Sequence, residues 1–339
     1  MRQLLNTLYI TTPDSYLSKD GLNVVVSRDK KEQFRIPIHN IESIITFGYM
    51  GASPGLMKLC CDNGVSLTFL SPQGRFIGHL NGATRGNVLL RKKQYEIFDN
   101  EDIKLSLSKI IISAKIQNSR SVLRRHIRDY GDNEALVSCS KRLEYIKHKA
   151  LNTLCLEDLR GIEGKAANIY FSVLNELILT QKDVFIFTDR NRRPPRDEIN
   201  AMLSFVYTLI TNDMVSALET VGLDPYFGFM HAIRPGRASL ALDLIEEFRG
   251  YLGDRLVLSL INRRQVKKND FIRQGDAVLM TENCRKTIIS SWQKRKKDII
   301  EHPYLKEKIP VGLLPYSQAM LLARYIRNDL SNYPVFLIL

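Results

Sequence analysis

The sequence predicts two domains, a small β-rich N-terminal domain followed by a mainly helical C-terminal domain, and three observations carry that prediction. The 339 residues exceed one typical domain, and 44% apolar content is ample for two buried cores. Short β-like runs fill the first part of the chain, and beyond residue 95 the apolar spacing changes to that of helices. We place the β-rich domain at 1–95, a short hinge at 96–104 and the helical domain at 105–339.

In the first part, "TLYITT", "SYLS", "LNVVVS", "FRIPI", "IESIITFG", "VSLTFLS" and "RFIGHL" are separated by turn signals, with Asp20-Gly21 marking a hairpin. One helix interrupts them at "SPGLMKLCCDNG", with Pro54 in its first turn and Gly64 at its end. Beyond it, Asn100 is the N-cap of a long helix that Gly131 stops. Further helical runs are expected near 134–159, 163–180, 197–221, 238–261 and 280–301, and the apolar end "YPVFLIL" is expected to pack on the helical domain or a partner.

Charge narrows the partners. Lys and Arg number 49 against 36 Asp and Glu, a net charge of +13, and the resulting field attracts polyanions, nucleic acid first among them. The basic residues cluster at Arg120 to Arg128, Arg190 to Arg196, Arg263 to Lys268 and Lys294 to Lys297. Arg120, Arg124 and Arg128 recur every fourth residue, the spacing of one helix face that can track a phosphate backbone. The five cysteines show no redox or zinc spacing, there is no signal-peptide core, and no stretch approaches the apolar length of a membrane span, so a reduced, cytoplasmic protein without a membrane span is expected.

Against this basic background, "GFMHAIRPGRASLALDLIEEFRG" (228–250) sets His231 a short loop before a helix carrying Asp243, Glu246 and Glu247. On a helical wheel Leu240, Ala241, Leu244, Ile245 and Phe248 fill one arc and the three acids fall opposite. A hard divalent cation, or a neighbour such as Arg249, would relieve their repulsion. The plainer alternatives are a solvated acidic face and a capping histidine. Another acid, Glu163, lies between Gly161 and Gly164 in "LRGIEGKAANIYFSVL", where it reads either as a first-turn acid favoured by the helix dipole or as part of a site whose glycines admit close approach. Walker A, zinc-protease, di-iron and dinucleotide motifs are all missing, which argues against nucleotide hydrolysis and redox chemistry and leaves metal-assisted phosphodiester chemistry as the enzyme class.

Five stretches in this order, "GNVLLRKKQY", "AKIQNSR", "GIEGKAANIYF", "RNRRPPRDEINAMLSFVY" and the 228–250 segment, resemble the CRISPR-associated integrase family, the "Cas-one" catalytic subunit of spacer acquisition. The opening "LLNTLYITTPDSYLSKDGLNVVV", with "IESIITFGYMGASPGLM", is most similar to the subtype I-C branch. The resemblance implies a β-rich dimerisation domain and a helical catalytic domain holding one Mg²⁺ or Mn²⁺ ion on Glu163, His231 and Glu246, with Asp243 as a further ligand or a supporting partner. Many relatives carry Asp where this chain has Glu246. It also implies a homodimer, double-stranded DNA as substrate, both spacer precursor and CRISPR repeat, and a small companion subunit bridging two dimers.

The implied activity is a metal-dependent endonuclease and integrase in which the 3′-hydroxyl of a short duplex attacks a repeat phosphodiester, one P–O bond being exchanged for another without ATP. A structure-selective nuclease for branched DNA and a non-catalytic DNA-binding scaffold are the alternatives. Arg234 and Arg237 beside His231 are expected to meet phosphate, while Lys115, Asn118, Arg120, Arg190, Arg193 and Arg196 are expected either to contact DNA or to form ion pairs between helices. Tyr170 is expected to be a core aromatic or to orient the site.

Overall fold

A computed structural model describes residues 7–12, 14–41, 43–48, 50–71, 76–80, 88–192 and 194–338. These residues divide into two compact units, one within 1–86 together with 282–297, the other comprising 87–281 and 298–339.

The seven β-like runs all form strands. In the first unit β1 (Thr7–Ile10), β5 (Ser43–Phe47), β6 (Ser66–Leu70) and β7 (Phe76–Leu80) make one sheet in the order β1-β5-β6-β7, parallel between the first three strands and antiparallel at β7. β2 (Ser15–Asp20), β3 (Asn23–Arg28) and β4 (Lys31–Pro37) make an antiparallel sheet whose first hairpin turns at Gly21. Parallel pairing of β5 and β6 requires a crossover, supplied by α1 (Pro54–Asn63). Ser53 caps α1 by accepting from Leu56 N–H, and Gly64 ends it in the left-handed conformation at φ 68°. Every residue of β5 is buried, and Leu17, Val24, Ile44, Leu56 and Leu67 meet in the core.

The second unit is mainly helical. Its elements are α2 (Val88–Phe98), α3 (Glu101–Tyr130), α4 (Glu134–Leu151), α5 (Leu156–Phe171), α6 (Glu198–Val221), α7 (Ser239–Ile245), a π-helical turn (Arg249–Asp254) and α8 (Arg255–Asn262). Two hairpins, β8–β9 (Phe271–Gln274, Ala277–Met280) and β10–β11 (Ile299–Glu301, Lys308–Pro310), follow, and α10 (Leu314–Ile326) closes the unit. Asn100 accepts from Ile103 N–H at the start of α3, and Gly131 ends that helix, as the sequence predicts.

Three expectations change. The boundary lies before α2, and 96–104 is a helix-to-helix junction inside the second unit. The side chain of Gln94, fully buried, donates to the carbonyls of Asp224 and Phe227, and Phe98 meets Phe229 edge to face, so α2 belongs to the helical core. The helix expected at 280–301 is α9 (Glu282–Lys296), which belongs to the β-rich unit, where Gln293 donates to Thr7 O. Helix α6 is long and apolar enough to cross a membrane by length and composition, contrary to the reading of the sequence, but 67% of its apolar window is buried inside the protein. That burial is the pattern of a core helix.

The apolar C-terminal segment packs into the helical unit. Phe336 is fully buried against Phe248 and Tyr251. Buried Asn118 of α3 donates to the carbonyls of Glu247 and Phe336 and accepts from Ile338 N–H. Glu247 accepts from Tyr333 Oη at 2.5 Å, Phe336 N–H and Gln318 Nε2. Burial pushes its carboxyl up to about 8, against the opposing pull of those hydrogen bonds. The folded chain therefore keeps a proton that the unfolded chain releases in the ordinary carboxylate range. The stabilisation is complete at low pH, declines by about 1.4 kcal/mol per pH unit above the unfolded pKa, and is gone beyond about pH 8. Glu247→Gln, a copy of the protonated shape, is expected to match the parent in urea unfolding near pH 5 and to exceed it by roughly 3 kcal/mol at pH 8. A variant equally destabilised at both pH values would contradict this.

Candidate active site

The site is built on Asp243 in α7. Its fully buried carboxylate accepts the backbone N–H groups of Phe229, Met230 and His231 and lies 2.6 Å from His231 Nδ1. One carboxylate thus fixes both the loop and its imidazole. With Nδ1 donating to Asp243, Nε2 presents its lone pair, the arrangement of a metal-binding histidine braced by a carboxylate. Nε2 lies 4.0 Å from Glu246 Oε1. The loop approaches α7 so closely that only glycine fits at 228, where a Cβ would stand 2.5 Å from Asp243 Oδ2 and 2.7 Å from Leu240 N.

Glu246 follows α7 at the step into the π-helical turn and is 3% exposed. Arg249 Nη2 holds its Oε1 at 2.8 Å, and Lys115 Nζ of α3 lies 2.8 Å from its Oε2. Burial alone would raise this carboxyl, but the charges of Arg249 and Lys115, with the His231 ring beside them, overcome it and hold the group at about 2. Lys115 also pairs with Glu163 Oε1, from the middle of α5. Arg249 is braced in turn by stacking on Tyr207, 4.8 Å from its ring centre, while Tyr207 donates to Asp254 at 2.5 Å. A cavity of about 320 Å³ opens over the carboxylates, lined by Ile112, Leu159, Arg160, Glu163, Met230, His231, Arg237 and Glu246.

Among the described residues, no three His, Cys, Asp or Glu side chains stand close enough together to hold a metal ion as they are. Lys115 occupies the gap between the carboxylates. The donor chemistry nonetheless fits a hard divalent cation, since two carboxylates and an imidazole Nε2 face one cavity, and buried Glu246 Oε2 has ion-pair contact but no hydrogen bond.

The model of the CRISPR associated protein Cas1 family matches residues 8–294 of the chain. The chain belongs to the Cas1 family. It is 48% identical over 347 aligned positions to the CRISPR-associated endonuclease Cas1 1 of Chlorobaculum tepidum, covering 99% of each chain. Among solved structures its fold is similar to a chain of a Cas6-RT-Cas1–Cas2 complex (TM-score 0.85, 21% identity, 100% of this chain and 37% of that one) and to a casposase bound to integration product (TM-score 0.81, 22% identity, 97% and 92%).

Within this Cas1 fold, His231, Asp243, Glu246, Glu163 and Arg237 come together, and Lys115 joins them. Arg234 is exposed on the same loop. Other expected DNA contacts have structural partners: Arg120 pairs with Glu144 and donates to Ser140 O, tying α3 to α4, and Arg190 is held by Asn200, Ser204 and the Tyr207 ring. Arg196 is exposed, Asn118 is buried under the C-terminal segment, and Arg193 lies outside the described residues.

The acidic face also differs from the wheel. The regular helix ends at Ile245, so Glu247 turns away from Glu246 toward Tyr333, and all three acids are buried. Glu163 sits mid-helix, with open space at Gly161 and Gly164, so these glycines do not serve close backbone approach. Tyr170 is buried in the core. Arg160, which donates to Met230 O, carries no sequence sign of a site role, and Arg249, a possible partner of the acids at i+3 from Glu246, pairs with that carboxylate. Gly228→Ala is expected to cost on the order of 2 kcal/mol by overpacking, and to shift the His231 imidazole resonances by displacing Asp243. A variant with unchanged stability and histidine spectrum would show that the close approach is not required.

Proposed function

We propose that the protein is the DNA integrase of CRISPR adaptation, joining 3′-hydroxyl ends of short duplexes to the CRISPR repeat by transesterification, with Mg²⁺ or Mn²⁺ held by Glu163, His231 and Glu246. The observation that carries this reading is the meeting of those three side chains, from α5, the 228–238 loop and the end of α7, at one cavity rimmed by Arg160 and Arg237. A divalent ion there supplies positive charge to the phosphoryl oxygens and eases loss of the attacking hydroxyl proton. Asp243 orients His231, Arg249 keeps Glu246 in place, and Arg237 with exposed Arg234 holds the DNA backbone.

The relative named CRISPR-associated endonuclease and the casposase bound to integration product support this chemistry, and the Cas1–Cas2 complex supports a small companion subunit. We assign the chain to the subtype I-C branch on its opening motifs, working as a homodimer on double-stranded DNA in the cytoplasm, where its five free cysteines stay reduced.

The direct test is transfer of a labelled 3′-ended duplex to a plasmid carrying a leader and repeat, with the companion subunit and Mn²⁺. Glu163→Ala is expected to lower joined label by at least roughly 100-fold while leaving DNA affinity within a few-fold. Shortened strands without joined label would favour the branched-DNA nuclease, and binding alone the scaffold. Arg234→Ala with Arg237→Ala is expected to reduce the slope of log affinity against log salt by on the order of 1–2. An unchanged slope would place the DNA elsewhere.

A further inference from the structure

Lys115 projects from α3, an element that contributes none of the three proposed ligands, yet it contacts both carboxylates among them. Its ammonium pairs with Glu163 Oε1 and lies 2.8 Å from Glu246 Oε2, while its side chain is only 14% exposed. Without it, Glu246 would keep only Arg249 at ion-pair distance apart from His231, and Glu163 would have no ion-pair partner among the described residues. The lysine thus replaces the repulsion of two carboxylates, one of them buried, with two attractions.

We propose that Lys115 is the resident cation of this site, holding Glu163 and Glu246 together in the metal-free protein and yielding them when a divalent ion binds, so that it sets the metal affinity. This rests on the metal-site reading above. An ion bonded to the same two carboxylates shares the gap with the ammonium, and like charges in a partly buried gap repel. Of the two cations on Glu246, Lys115 is the one free to yield. Its ammonium is a point charge on a flexible four-carbon stem, whereas Arg249 is fully engaged, lying over the Tyr207 ring and paired to Oε1. Exchange of one positive charge for two leaves the carboxylates compensated in both states. It also raises the positive charge facing a phosphate only when the ion is present.

The test is Mn²⁺ binding by titration calorimetry and by the electron-paramagnetic signal of free Mn²⁺, on the full chain without DNA, alongside thermal unfolding in chelator. Lys115→Met and Lys115→Gln are expected to bind Mn²⁺ on the order of tenfold more tightly than the parent, because no resident charge has to be displaced. Both are expected to melt lower in chelator and to gain more in Tm from added Mn²⁺. Lys115→Arg, which retains the charge, is expected to lose the gain in affinity. Parent-like or weaker binding by the folded Met and Gln variants overturns the role of Lys115 and leaves the metal site standing. No binding by any of the four proteins overturns both. Lys115→Gln, which keeps a hydrogen-bonding group, covers the case in which Lys115→Met does not fold.

Discussion

The structure of the site depends on keeping one buried carboxylate ionised. Glu246 is almost wholly removed from water, and a lone carboxylate there would take up a proton. Arg249 and Lys115 prevent this, and each reaches Glu246 through a different part of the fold, as does the His231 ring beside them. Arg249 comes from the π-helical turn that replaces regular helix after α7, Lys115 from α3, and His231 from a loop fastened by Asp243. The break in the helix at 245–249 is therefore part of the site. It turns Glu246 toward the cavity and Glu247 toward the C-terminal segment, so adjacent carboxylates serve opposite ends: one held charged by cations, the other raised toward neutrality by burial among uncharged donors.

The same arrangement explains how a chain of net charge +13 carries an acidic cluster without repelling a polyanion. Glu246 and Glu163 are paired with the chain's own cations, Asp243 and Glu247 are buried among hydrogen-bond donors, and Arg160 and Arg237 lie at the cavity. In the proposed strand transfer, the carboxylates serve the ion and the arginines serve the phosphates. The two sets occupy one cavity because the loop at 228–238 lays His231 and Arg237 along the same wall.

Much of the local structure was legible in the sequence. All seven N-terminal strands, α1 between Pro54 and Gly64, and α3 between Asn100 and Gly131 follow from turn chemistry and capping, which act over a few residues. The packing of α2 and α9 was not legible, since Gln94 and Gln293 find their partners at Asp224, Phe227 and Thr7, and such pairings leave no periodic mark. The site was readable as residue types and motif order. Its geometry was not: a wheel at 100° per residue cannot anticipate a π-helical turn, so Glu247 was grouped with Glu246, and Lys115, 48 residues before Glu163, carries no local sign that it reaches that carboxylate. Gly228 gave no signal either, because its need arises from the close approach of Asp243 and Leu240.

The most direct measurement of the central claim, that Glu163, His231 and Glu246 form one cation site, is the anomalous scattering of Mn²⁺ in crystals of the full chain grown with that ion. The account predicts a single peak bonded to both carboxylates and to His231 Nε2, with His231 Nδ1 still on Asp243. A peak elsewhere, or ordered protein with Lys115 still seated between the carboxylates at saturating Mn²⁺, would contradict it.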